Sequence, residues 1–373
     1  MAFEGIIPAV TTPFTASDEV DVAALKENVE KLIEAGVHGF VATGTMGEAA
    51  SLSSDERRTV VQAVVEAAAG RVPVTVGVSS GSALTSLAYA LDAKALGATS
   101  IMSLPPLGYR ADDDEVIAFF TELASGTGLP VMAYNNPEAS GVDMPPELIV
   151  RIYEEVDGVA AIKECSGDVR RIPEILNATS ELEVLVGGDD WALEGFAAGA
   201  TGWVTGVGVV APREVVELYG AVNAGELAKA RALYRRLLPI ARFDMTPKLV
   251  QYFKAAQDAV GFNGGPTRPP RLPLNAAERE ALEESGYRVE AHKLLALLDK
   301  TRHEHPVSID YTYKVLIGCR LVDGEPVTSH EIDAVAFFPR GELPALDLDR
   351  TTPGQVALAW KHHDDPARPT DFD

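Results

Sequence analysis

Cysteine is scarce in this chain. Cys165 and Cys319 are the only two in 373 residues, which excludes a disulfide framework and gives no pointer to secretion. Positive charge is scarce as well. Lys and Arg number 32 against 55 Asp and Glu, a net charge of −23. A surface that acidic argues against nucleic acid and anionic membranes as partners. No apolar run reaches about 18 residues, so no membrane span is expected. The opening Met1-Ala2-Phe3-Glu4-Gly5 lacks the basic region and apolar run of a signal peptide. A soluble cytoplasmic protein is the expectation. A hydrophobic content of 46% excludes a disordered or collagen-like chain.

Histidine is missing from most of the chain. Only His38 precedes residue 290, and the other six follow it. Near that change lies Gly264-Gly265-Pro266-Thr267-Arg268-Pro269-Pro270-Arg271-Leu272-Pro273, a Gly/Pro-rich stretch that cannot continue a helix. The expected domains are therefore 1–274 and 275–373.

Within the first domain, short apolar runs alternate with amphipathic helical patterns. The runs are 5–10, 39–43, 72–78, 100–104, 130–134, 159–163, 184–187 and 202–205. Each fits a parallel strand buried on both faces. Helical spacing appears between them, for example over 23–34 and over 54–69, and continues at 227–241 and 247–260. Eight strand–helix units predict an α/β fold, a (β/α)8 TIM barrel with C-terminal helices. A doubly wound open sheet is the competitor, but no GxGxxG follows the first strand.

Functional residues of a barrel lie at the C-terminal strand ends. Lys163 closes the run Val159-Ala160-Ala161-Ile162, so it points into the mouth. Desolvation there predicts a lowered pKa and an amine able to attack a carbonyl and form a Schiff base. The alternative is a buried structural ion pair with Glu164 or Asp189. Tyr134 ends the preceding strand, about 5 Å away, where its phenol could shuttle protons or simply pack on a loop. The loop Gly44-Thr45-Met46-Gly47-Glu48 offers two glycines and a hydroxyl, either as a nest for a carboxylate or as an ordinary tight turn. Asp189 and Asp190 follow Gly187 and Gly188. They could bind substrate hydroxyls or a metal, or cap a helix beginning at Trp191. Val204, in the eighth strand, is a further lining candidate. With no histidine near these ends apart from His38, a His-based metal site or triad is not expected.

Together, Gly44-Thr45-x-Gly47-Glu48, Tyr134-Asn135-x-Pro137, Ile162-Lys163-Glu164 and Gly187-x-Asp189 resemble the dihydrodipicolinate synthase / N-acetylneuraminate lyase family over roughly residues 3–274. The resemblance implies a class I Schiff-base lyase, a homotetramer, with no cofactor beyond the lysine imine. It implies that Lys163 forms the imine with a 2-oxo acid, that Tyr134 shuttles protons, and that Thr45 with its loop holds the substrate carboxylate. Gly44, Met46, Gly47, Gly187, Asp189, Asp190 and Val204 are then substrate-binding candidates.

The chain departs from the synthases proper at three places. Met46 stands where they have a second threonine. Ala139 replaces an arginine that binds the second substrate's carboxylate. Leu107 stands near the position where they use a tyrosine from a neighbouring subunit, with Tyr109 close by. Other stretches, Leu104-Pro105-Pro106, Gly141-Val142-Asp143, Asp168-Val169-Arg170-Arg171 and Pro247-Lys248-Leu249-Val250-Gln251, are similar to 1-pyrroline-4-hydroxy-2-carboxylate deaminases, which act on a cyclic imino acid. A 2-keto-3-deoxy sugar-acid aldolase or dehydratase, or dihydrodipicolinate synthase itself, are the alternatives.

In the tail, Arg279-Glu280-Ala281-Leu282-Glu283-Glu284-Ser285-Gly286 matches the second half of a Nudix box. Glu280, Glu283 and Glu284 share a helix face and could hold Mg²⁺, or they form a solvated face. Strands are expected over 310–321 and 331–339. The first half of the box is absent, so the tail resembles a small, truncated α+β Nudix domain. Nudix pyrophosphohydrolase activity and a catalytically silent scaffold are the rival functions.

Overall fold

The computed structural model describes residues 3–274, 287–299, 313–324, 353–365 and 371–372. It contains two compact units, Met1–Pro273 and Leu274–Asp373. In the first, eight strands run β1 (Gly5–Pro8), β2 (Phe40–Ala42), β3 (Val74–Gly77), β4 (Ser100–Ser103), β5 (Val131–Asn135), β6 (Val159–Glu164), β7 (Glu183–Val186) and β8 (Gly202–Thr205). All pairings are parallel, in the order β1-β8-β7-β6-β5-β4-β3-β2. A parallel bridge between Ala9 and Val41 closes β1 against β2. Val10 N–H donates to the Val41 carbonyl at 3.0 Å, and His38 N–H to that of Ile6 at 2.8 Å. This is the TIM barrel, and closure excludes the open sheet. The strands are short and almost wholly buried because barrel side chains fill one face and the helices cover the other.

The helices begin where local chemistry says they should. In α2 (Ser54–Ala68), Ser53 and Glu56 form a reciprocal capping box; in α4 (Asp113–Thr127), Asp112 and Glu115 do the same. Each satisfies two backbone N–H groups that a helix start leaves unpaired. After β5 the chain uses two helices, α5 (Pro137–Ser140) and α6 (Pro146–Glu155), rather than one. Beyond β8, α9 (Pro212–Asn223), α10 (Leu227–Ala241) and α11 (Leu249–Ala259) extend the barrel, with a 3-10 turn, Arg242–Met245, joining the last two. That turn has no counterpart in the sequence reading.

The second unit contains a three-stranded sheet of order β10-β9-β11: β9 (Tyr287–Asp299), β10 (Tyr313–Gly324) and β11 (Asp371–Phe372), plus the helix α12 (Pro353–Asp364). The strand expected over 310–321 is β10, displaced by three residues at each end. β9 was not expected. Residues 279–286, with Glu280, Glu283 and Glu284, and 331–339 lie outside the described residues. No helix among the described residues is long and apolar enough to cross a membrane.

Candidate active site

Lys163 and Tyr134 are register partners on β6 and β5, so their side chains leave neighbouring strands on the same side. The Lys163 ammonium nitrogen lies 4.1 Å from the Tyr134 ring centroid, and both residues are buried. The Tyr134 hydroxyl accepts from Asn136 Nδ2 at 3.0 Å, which fixes the orientation of its oxygen.

The structural ion pair weighed for Lys163 is not formed. Glu164 is the next residue on the strand, and successive side chains point to opposite faces. Its carboxylate accepts from Asn135 Nδ2 at 3.0 Å and from Ser166 N–H at 2.6 Å. Asp189 is fully buried. Its oxygens accept from Trp203 Nε1 at 2.9 Å, Gly206 N–H at 3.3 Å and Val207 N–H at 2.7 Å. It therefore braces the end of β8 and is occupied by protein donors. This corrects its assignment as a substrate or metal ligand. It also corrects the helix-cap reading, since Trp191 is the N-cap of α8 (Ala192–Ala197). Asp190 is half-buried, and its Oδ1 has no partner among the described residues.

The expected lowering of the Lys163 pKa is also corrected. Burial is the largest influence and pulls it down. The Tyr134 oxygen, the Cys165 sulfur and the Asp244 carboxylate together outweigh burial, and the net direction is up. Burial raises the Tyr134 phenol and pushes the Cys165 thiol up to about 12, so near neutral pH neither is an anion. Asp244, pushed up to about 6 chiefly by burial, is the one of the three that is charged there. Near neutral pH, Asp244 is thus the charged group that favours the Lys163 ammonium, with no ion pair formed between the two.

Asp244 is a residue near Lys163 that the sequence alone does not point to. It sits in the 3-10 turn between α10 and α11, and its Oδ2 accepts from Asp189 N–H at 3.3 Å. No motif marks it; only the return of the C-terminal helices over the barrel mouth brings it to Lys163.

Gly187 governs the space beside Lys163. A Cβ at this position would lie 2.7 Å from both Cys165 Cβ and the Glu164 carbonyl oxygen, and 3.0 Å from Lys163 Cε. Its role is to leave room for the lysine stem. Val204 is buried in β8, in register with Ile7 of β1.

The Gly44–Gly47 loop is turned by residues other than its glycines. Neither Gly44 nor Gly47 is left-handed; Thr43 (φ 52°) and Glu48 (φ 54°), which bracket the loop, are. A left-handed β-branched or long side chain costs free energy, so its surroundings must hold it. Thr43 Oγ1 donates to the Gly77 carbonyl at 3.0 Å, and Arg57 donates to the same carbonyl at 2.5 Å. Fully buried Glu48 pairs with buried Lys254 at 2.8 Å and accepts from Arg268 N–H at 3.1 Å. Gly47 is needed for closeness: a Cβ would come within 3.1 Å of the Val10 carbonyl oxygen. Thr45 is exposed on this loop and Met46 is buried beneath it.

Removing one member of a buried ion pair leaves the other charge uncompensated. Lys254→Ala is therefore expected to lower unfolding stability by about 3–5 kcal/mol, measured by denaturant titration. The double change Glu48→Gln with Lys254→Met is expected to recover a large part of that loss. A single-variant loss below about 1 kcal/mol, the range of an exposed pair, would contradict the claim that the pair holds the loop.

No cluster of three or more His, Cys, Asp or Glu able to hold a metal occurs among the described residues. Of the groups weighed as metal ligands, Asp189 is engaged by protein donors as above, and Glu280, Glu283 and Glu284 lie outside the described residues.

Comparison with known proteins matches residues 2–286 to the dihydrodipicolinate synthetase family and residues 249–359 to the NUDIX domain. A 4-hydroxy-tetrahydrodipicolinate synthase from Methanopyrus kandleri is 35% identical over 281 residues, covering 75% of this chain and 94% of its own length. Among solved structures, a putative dihydrodipicolinate synthetase from Pseudomonas aeruginosa superposes with a TM-score of 0.72 at 36% identity, over 74% of this chain and 96% of its own. A prophage protein of the dihydrodipicolinic acid synthase family from E. coli K12, solved in complex with pyruvate, gives 0.71 at 28% identity, over 74% of this chain and 95% of its own. The tail's likeness to a Nudix domain is matched as well, with the match reaching back over α11, which lies in the barrel unit.

Proposed function

The chain belongs to the dihydrodipicolinate synthetase family, and on that footing we propose that it is a Schiff-base lyase in which Lys163 condenses with a 2-oxo acid. The observation that carries this reading is the buried lysine beside a buried phenol, with no carboxylate paired to the amine. The ammonium first loses a proton to solvent. The amine then attacks the carbonyl carbon, forming the C–N bond and breaking the C=O π bond, while Tyr134 gives its proton to the carbonyl oxygen. The resulting tyrosinate takes a proton from the new C–N nitrogen and passes it to that hydroxyl. The C–O bond breaks, water departs, and a solvent proton restores the phenol. The iminium left behind serves as electron sink for the bond-making or bond-breaking that follows. The Gly44–Gly47 loop receives the acid's carboxylate.

For the second half of the reaction, the relatives' names favour 4-hydroxy-tetrahydrodipicolinate synthesis. A separate observation favours a second reading. Ala139 supplies no cation for a second carboxylate, and Met46 no second hydroxyl. Arg171 is engaged by Asp143 at 2.6 Å and 2.9 Å. These departures suit a single substrate that is cleaved, dehydrated or deaminated, such as the pyrroline derived from hydroxyproline. Assaying pyruvate and ammonia across a panel of 2-oxo acids and that pyrroline separates the readings. Pyruvate consumption in the presence of aspartate 4-semialdehyde as second substrate marks synthesis, pyruvate release an aldolase, and ammonia release without pyruvate the deaminase. Inertness toward every member, with and without that second substrate, would remove the proposal. Mg²⁺-dependent hydrolysis of nucleoside diphosphate derivatives tests the tail, with Glu283→Gln as the control.

Tyr134→Phe keeps the ring over Lys163 and removes the transferable proton. The expected loss in kcat is about 10²–10⁴-fold, with slow imine formation persisting. An unchanged kcat would remove Tyr134 from proton transfer.

A further inference from the structure

The barrel mouth carries an unbalanced charge. Around the ends of β5, β6 and β7, the groups that act on Asp244 or are acted on by it are Lys163, Tyr134, Cys165, Asp189 and Asp190. Lys163 is the single cation of that set. Asp189 and Asp190 are carboxylates like Asp244 itself, with Asp189 raised well above the ordinary carboxylate range chiefly by burial, and the phenol and thiol are neutral near pH 7 by the burial described above. Asp189 is enclosed by its three donors. Asp244 is half-buried and reaches the mouth.

Its position is built rather than incidental. The turn Arg242–Met245 is pinned by Phe243 stacked on Tyr252 of α11, with ring centroids 4.3 Å apart and planes 16° apart. Thr246 Oγ1 and N–H both donate to the Phe243 carbonyl, at 2.8 Å and 3.2 Å. The Asp189 N–H fixes the carboxylate at the end of β7. In the barrel, β2 is four strands from β6 in either direction, so the carboxylate loop after β2 faces Lys163 across the mouth. A 2-oxo acid joined to Lys163 with its carboxylate at that loop must direct the rest of its chain within the remaining rim, part of which is Asp244.

We propose that Asp244 is a specificity-determining residue, selecting substrates whose distal part carries a hydroxyl or ammonium donor and rejecting those that carry a second carboxylate there. The inference rests on the Schiff-base reading and deepens it by naming the substrate class. A carboxylate can accept a hydrogen bond from a hydroxyl or a cation but repels another carboxylate, strongly so where water is partly excluded. Ala139, where the synthases carry an arginine, supplies no cation to offset that repulsion.

The test uses the full chain, borohydride reduction and intact-mass detection, with three probes: pyruvate, 2-keto-3-deoxygluconate (distal hydroxyls) and 2-oxoglutarate (a distal carboxylate). The wild type is expected to trap the first two and to trap 2-oxoglutarate at least about tenfold more slowly than pyruvate. Asp244→Asn keeps the acceptor for the Asp189 N–H and removes the charge. It is expected to raise the 2-oxoglutarate-to-pyruvate ratio about tenfold. It also removes the anion facing Lys163, so the pH profile of pyruvate trapping shifts toward lower pH, a change that loss of packing alone would not produce. Asp244→Glu is expected to restore both behaviours in part. An unchanged ratio in Asp244→Asn, with pyruvate still trapped, overturns this proposal alone. Failure of the wild type to trap pyruvate overturns the Schiff-base reading and this inference with it.

Discussion

Lys163→Ala is expected to lower kcat by about 10⁴-fold or more, because removal of a covalent nucleophile leaves only binding and orientation. The same change is expected to leave folding stability nearly unaltered. Lys163 has no ion-pair partner among the described residues, and the cost of burying its charge is offset by the Tyr134 oxygen, the Cys165 sulfur and the Asp244 carboxylate around it. The two readouts together are diagnostic. A structural lysine would show the opposite pattern, with stability falling by several kcal/mol and activity falling only through loss of folded protein. Steady-state kinetics alongside denaturant titration separates the cases. Lys163→Arg sharpens the comparison: it keeps a cation for Asp244 but cannot be deprotonated to attack a carbonyl.

Gly187→Ala is the second large effect. The added methyl meets Cys165 Cβ and the Glu164 carbonyl oxygen at 2.7 Å, inside the separation that packed carbon atoms tolerate. One of these neighbours is backbone of β6, so relief requires moving the strand that carries Lys163. Overpacking of this kind costs about 1–3 kcal/mol. Displacement of the amine by about 1 Å is expected to lower kcat about 10²-fold, so activity should fall further than stability does. Gly220→Ala, in α9, is the control. Its Cβ would meet nothing within 4 Å. Equal losses in the two variants would show that Gly187 has no particular bearing on the lysine.

The sequence carries the barrel and the Lys163–Tyr134 pair for the same reason. Strands buried on both faces read as apolar runs, and the residues that break a run at its end are those facing the mouth. Lys163 breaks such a run. Tyr134 lies across from it in register, so the adjacency follows from strand order alone. Asp189 was misread because its partners, Trp203 and the turn at Gly206 and Val207, belong to another strand. A carboxylate after two glycines looks free until that strand is placed beside it. Thr43 and Glu48 were invisible as turn-makers because left-handed backbone is ordinarily a glycine property. Their conformations are held by groups distant in the chain, such as Lys254, 206 residues from Glu48. Asp244 was invisible for a similar reason, since a 3-10 turn between two amphipathic helices has no periodicity to announce it. The lowered lysine pKa failed as an expectation because burial was weighed without the Tyr134 oxygen, the Cys165 sulfur and the Asp244 carboxylate that surround the amine.

The account turns on covalent chemistry at one nitrogen. Treating the full-length protein with pyruvate and sodium borohydride, followed by intact-mass measurement and peptide mapping, examines that directly. The predicted result is one reduced pyruvate adduct per chain, located on Lys163 and absent from Lys163→Ala. No adduct, or an adduct on a different lysine such as Lys254, would contradict it.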